Sequence, residues 1–153
     1  MSKRRITAEM LTQKDACPDQ LDEFRERFPD GLDPAAVTPE EVAGLSVGWA
    51  VHALLPATAG EAWKEAGAAA WKAWKEATSL AREAYREATA PAWKALNEKA
   101  GAPTRDAWKE AEAAAWKTYR EDRAPAWEAY REAKARAAID LFREYWQKED
   151  HDE

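Results

Sequence analysis

The side chains able to do bond-making chemistry are few and far apart. Cys17 is the single cysteine, and His52 and His151 are the only histidines. A nucleophilic thiolate needs a base or a helix N-terminus to lower its pKa, and a positioned imidazole to move the proton. Cys17 does precede a predicted helix, in "ACPDQ", but His52 falls on an apolar stripe and His151 in the acidic tail. Cys17 therefore reads as a small buried or helix-start residue. A metal site needs several thiolate or imidazole ligands converging, and one Cys with two distant His does not supply them. No Gly-rich phosphate loop occurs. Glu61, Lys64 and Glu65 have the spacing of solvated helix pairs worth a few tenths of a kcal/mol. The expectation is a protein that is not an enzyme, with no catalytic residues, no metal, no cofactor and no small-molecule substrate.

The aromatic residues are different, because they are many and regularly placed. Residues 61–147 hold eight Trp and four Tyr. Residues 61–96 recur, offset by 45, as residues 106–141: "EAWKEAGAAAWKAWKEATSLAREAYREA" lies over "DAWKEAEAAAWKTYREDRAPAWEAYREA". Trp63 matches Trp108, Trp71 matches Trp116, Trp74 matches Tyr119 and Tyr85 matches Tyr130. Within each copy the ring positions step by 11, or 3.67 residues per turn, so they drift slowly round a helix. On a wheel of about 100° per residue, Trp74, Tyr85 and Leu96 stay within about 60° of Trp63. Trp71 and Trp93 lie further round, near 80° and 120° on the same wheel. Alanines such as Ala70, Ala77, Ala88 and Ala92 form a shoulder on the other side, and Glu65, Glu76, Glu83 and Glu87 form the back.

Those strips need elements to carry them. "TAGE" at 58–61 has capping-box spacing and opens a helix over about 59–100. Gly101, Pro103 and Thr104 break the pattern and start a second helix over about 104–147. Folding the chain about Ala102 sets Trp74 by Tyr130, Tyr85 by Tyr119 and Leu96 by Trp108. The same register opposes large to small, with Trp71 on Ala133, Trp93 on Ala111, Trp116 on Ala88 and Trp127 on Ala77. The prediction is a long antiparallel hairpin. Pro91 and Pro125 are discordant: each loses a hydrogen bond and clashes with the previous turn at a cost of about 3 kcal/mol. They imply either kinks or shorter helices recapped by Thr89 and Asp122.

Ahead of the hairpin, residues 1–57 read as a small bundle of short helices. Thr7 caps a turn carrying Met10 and Leu11. Pro18 suits the first position of a helix with Leu21, Phe24 and Phe28 on one stripe. "PDGLDP" is a turn, and Thr38, Pro39 and Glu41 make a capping box ahead of Val42, Leu45 and Trp49. The fold class is all-α: this module at 1–57, the duplicated hairpin at 58–148, and an acidic tail at 149–153.

Charge narrows the partners. The formal net charge of −6 divides into −4 for residues 1–60 (6 basic, 10 acidic), +1 for 61–147 (16 and 15) and −3 for 148–153. No one-sided basic stripe exists, so nucleic-acid binding is not expected, including by a helix-turn-helix over 38–55. The basic start "MSKRR" has no apolar core behind it, and no run of about 18 apolar residues could span a bilayer. A lone cysteine fits a reducing compartment, so a cytoplasmic location is expected.

The first 55 residues resemble the N-terminal module of a family of uncharacterised bacterial and phage proteins. The likeness rests on "ITAEML", "ACPDQLDEF", "FPDG", "VTPEEV" and "GLSVGWAVHALL". In that family the module precedes varied tails, some built of an 11-residue "APAWxxYxxA" unit similar to this one. The resemblance implies a bacterial or phage accessory setting and no established activity. A monomer rarely exposes an apolar patch beyond a few hundred Å², so the aromatic strip needs cover. The expected interaction face is Trp63, Trp71, Trp74, Tyr85, Trp93, Trp108, Trp116, Tyr119, Trp127 and Tyr130. It would take a protein partner or a second copy. Peripheral binding to a membrane surface is the alternative, from Trp flanked by Lys and Arg on repeated amphipathic helices.

Overall fold

A computed structural model describes residues 4–148. Among them the elements are all helical: α1 Ala8–Gln13, α2 Pro18–Arg27, α3 Pro39–Val42, α4 Val47–Leu54, α5 Ala57–Glu98 and α6 Ala102–Lys148. α5 and α6 pack as a hairpin. The chain forms two compact units: one holds the residues up to Ala70 and those from Arg131 on, and the other is Trp71–Tyr130. Composition changes at about residue 58, and packing divides the chain inside both long helices.

The first unit starts from local signals that act as read. The Thr7 hydroxyl accepts from Met10 N at 3.3 Å, and Pro18 opens α2, where a missing N–H costs nothing. Thr38 and Glu41 form a complete capping box. The helix it opens is only four residues long. Gly44 takes φ +89°, and α4 starts afresh at Val47. Gly31, at φ +79°, turns "PDGLDP" so that Leu32 and Ile6 exchange both backbone hydrogen bonds at 2.9 Å. Sequence periodicity could not show this single antiparallel bridge, because it pairs residues from two separate segments.

The core of this unit is aliphatic and aromatic: Ile6, Leu11, Leu21, Phe24, Leu32, Val37, Val42, Val51 and Leu55 close on Ala135, Ala138, Ile139, Phe142 and Trp146 of α6. The last turns of α6 are apolar on several sides because the short helices wrap them. Arginines satisfy the loop carbonyls this leaves. Arg143 donates to Pro34 O at 2.8 Å and Val37 O at 3.3 Å, and Arg27 donates to Ala43 O at 2.6 Å, where α3 ends. Trp146 Nε1 donates to Arg4 O at 3.2 Å, and the Arg4 guanidinium lies 4.3 Å from the Trp146 ring.

Both ends of the hairpin helices differ from the sequence reading by a residue or two. α5 opens on the Pro56 carbonyl, which accepts from Ala59 N at 3.0 Å and Gly60 N at 3.4 Å. Glu61 binds Lys64 at 2.8 Å rather than closing a box on Thr58. The hydrogen bond from Lys64, helped by its positive charge, holds the Glu61 carboxyl below its ordinary pKa. At the turn, Thr104 lies inside the first turn of α6 and is not its N-cap. Its hydroxyl accepts from Gly101 N at 3.1 Å and lies 2.8 Å from Lys99 O, so one side chain ties both helix ends. Gly101 does not use a positive φ. Pro91 and Pro125 sit within continuous helices. Both are exposed, so the carbonyl each deprives of its partner lies on the outer face, where water reaches it.

Candidate functional site

The ten aromatic residues fall into two places. Nine belong to the Trp71–Tyr130 unit, and Trp63 belongs to the other. Trp63 packs edge-on to His52 with centroids 5.9 Å apart, and the Lys134 ammonium lies 4.6 Å from its ring. A Cβ on Gly48 would collide with this indole, and a Cβ on Gly60 would come within 2.8 Å of His52 Nδ1. Both glycines are therefore seats for rings. Trp63 is half-buried cement between α4, α5 and α6.

In Trp71–Tyr130 the register places Trp74 by Tyr130, with centroids 6.5 Å apart, and Tyr85 by Tyr119 at 6.0 Å. The alanines this register sets opposite Trp71, Trp116 and Trp127 (Ala133, Ala88 and Ala77) are exposed, and so are those tryptophans. Trp71 stacks on Trp74 at 4.6 Å and meets Tyr130 edge-on at 5.9 Å. Trp127 meets Trp74 at 6.2 Å, Trp116 meets Tyr85 at 6.2 Å, and Trp93 meets Trp108 at 5.2 Å. Rings gather with rings, and the buried positions go to small residues: Thr78, Ala81, Thr89 and Ala115. Helix backbones approach closely only over short side chains. The two threonines can be buried because each hydroxyl donates within its own helix, Thr78 to Trp74 O at 2.9 Å and Thr89 to Tyr85 O at 3.0 Å.

The result is an inner row and an outer row. Trp74, Tyr85, Trp108, Tyr119 and Tyr130 are half-buried. Trp71, Trp93, Trp116 and Trp127 remain 44%, 52%, 46% and 41% exposed. The wheel explains the first two, since 80–120° from the Trp63 direction is the edge of the contact. Arg123 bridges the row, its guanidinium 5.4 Å from the Trp74 ring and 5.9 Å from Tyr119. Among the described residues, the Trp74 indole N–H is buried with no hydrogen-bond partner, as is that of Trp63. Such a group costs about 1–3 kcal/mol, which marks these rings as held by packing and not by polar pairing. Beside Trp116, a shallow hollow is lined by Tyr85, Lys109, Glu112 and Ala113.

The remaining chemistry-bearing residues are not gathered into a site. Cys17 is exposed at the start of α2, and His52 is an exposed residue of α4. His151 lies outside the described residues. Among the described residues no group of three or more His, Cys, Asp or Glu is placed to hold a metal ion, and no helix is long and apolar enough to cross a membrane.

One feature had no sequence signal. The first unit contains a half-open cavity of about 160 Å³ between α2, α4 and α6. Phe24, Leu32, Val37, Val42, Ile139 and Phe142 form its buried floor. Gln20, Ser46 and Trp49 stand at its more exposed rim, with the Gln20 side-chain oxygen accepting from Ser46 N at 2.8 Å. No protein-family profile, curated protein or solved structure matches this chain.

Proposed function

We propose that the protein is a non-enzymatic interaction protein that binds a protein partner, or a second copy of itself, through the outer aromatic row of Trp71–Tyr130. The observation that carries this reading is the four tryptophans left 41–52% exposed along that hairpin segment. Each leans on another ring, so its rotamer is set before any partner arrives. A ring ordered in advance loses little entropy on binding, and this is why Trp dominates interface hot spots. Arg123 and Lys109 beside the row add charge that can orient a partner. The exposed, unpaired Cys17 fits a reducing, cytoplasmic setting, in the bacterial or phage context that the N-terminal resemblance implies.

The test is a quadruple variant, Trp71→Gln, Trp93→Gln, Trp116→Gln and Trp127→Gln. Helix content by circular dichroism should hold, because the buried seam residues are untouched. Light scattering should show a mass above the monomer for the native chain, or affinity capture should retain a discrete partner, and either should be lost in the variant. A native chain that is monomeric and captures nothing would refute the proposal. Flotation of the native chain with anionic vesicles, abolished in the variant, would instead favour a lipid surface as the occupant.

A further inference from the structure

We infer that the cavity of the first unit is a binding site for a small, uncharged, single-ring aromatic molecule. Three observations carry this, and none depends on the aromatic row of Trp71–Tyr130. The first is size. A cavity of about 160 Å³ matches the roughly 150 Å³ at which an apolar protein cavity takes up benzene. The second is lining. Among the described residues, none that lines it carries a charge, and the buried floor is hydrocarbon from Phe24, Val42, Ile139 and Phe142 among others. An ionised ligand would lose its hydration there with nothing to replace it. The third is polarity at one end alone. Gln20 and Ser46 stand at the mouth, and the Ser46 hydroxyl makes no cap hydrogen bond although it precedes α4.

The geometry therefore assigns the ring to the floor and one hydroxyl or N–H to the mouth. Phenol is the simplest probe with that outline. Trp49 and Ala50 line the entrance side on α4, whose start is held by the backbone turn at Leu45–Val47, by Ala50 N on Ser46 O at 3.1 Å and by the Gln20 bond to Ser46 N. That short helix is the element that would adjust to admit a guest.

The experiment follows the methyl resonances of Val42, Leu45, Val47 and Ile139 in the full chain during titration with phenol, benzene and benzoate. Phenol should shift them saturably, with a Kd of about 1 mM or tighter, the scale reached by ligands of seven heavy atoms. Benzene should bind more weakly and benzoate not at all. Ala50→Phe, which fills the cavity, should weaken phenol binding at least tenfold, and Ser46→Ala should erase the preference for phenol over benzene. Should Ala50→Phe fail to fold, Ala16→Leu fills the same space from the other wall. Absence of saturable shifts up to the solubility of phenol would overturn the assignment. So would shifts that persist in the filled variant, because the probe would then be reading the exposed tryptophans instead.

Discussion

At the residue scale, ring and glycine are fitted to each other in this protein, and the fit differs sharply between two glycines that look alike in sequence. Gly48 sits under the Trp63 indole, where any Cβ collides with the ring, whereas a Cβ on Gly67 meets nothing within 4 Å. Gly48→Ala is therefore expected to destabilise by about 1–3 kcal/mol through overpacking. Gly67→Ala should stabilise by up to about 1 kcal/mol, since glycine is a poor helix residue and nothing opposes the added methyl. Urea unfolding of both variants checks the pair, and equal effects would mean that Trp63 does not occupy the seat described. The capping residues Thr7 and Thr38 were legible in the sequence because a cap is a local bond between residues three apart. Gly48 was not, because its constraint comes from a ring 15 positions along the chain on another helix.

At the element scale, the hairpin was legible from repeat spacing and a Gly-Pro break, yet the composition of its seam was not. The wheel placed Trp71 and Trp93 at the margin of the strip, and this margin is where exposure begins. The buried positions went to Thr78, Ala81, Thr89 and Ala115, which are small enough for a close seam, and the rings closed over one edge. Pro91 and Pro125 illustrate the second limit. Local rules weigh a proline against its own helix alone, whereas here some 90 neighbouring residues of hairpin hold the helices through it. Replacing either proline by alanine restores a helical hydrogen bond and removes a ring clash. Each change should therefore stabilise by about 2–3 kcal/mol, less a few tenths for the freer unfolded chain. Thermal melts of Pro91→Ala and Pro125→Ala read this directly; a loss of stability in both would mean that the bend itself is needed for packing.

At the scale of the whole molecule, the two compact units differ in what holds them. The first buries aliphatic and aromatic side chains from all six helices, and the second depends on a seam of threonine and alanine with a lapped row of rings. A chain beginning at Thr58 would uncover Ala138, Ile139, Phe142 and Trp146 at once. It should lose its sharp thermal transition and self-associate by light scattering, whereas the full chain should melt cooperatively in that unit. A monomeric, cooperatively folded truncation would show that α5 and α6 suffice alone. By itself, the sequence determined the helical class, the hairpin turn, its register and the caps at Thr7 and Thr38, because each follows from periodicity or from bonds between residues a few positions apart. Only the tertiary structure decided that the units part inside α5 and α6, that small residues hold the seam while four tryptophans face outward, and that a cavity opens beneath α4. Those outcomes depend on which side chains, distant along the chain, compete for the same volume, and no one-dimensional pattern records who wins that space.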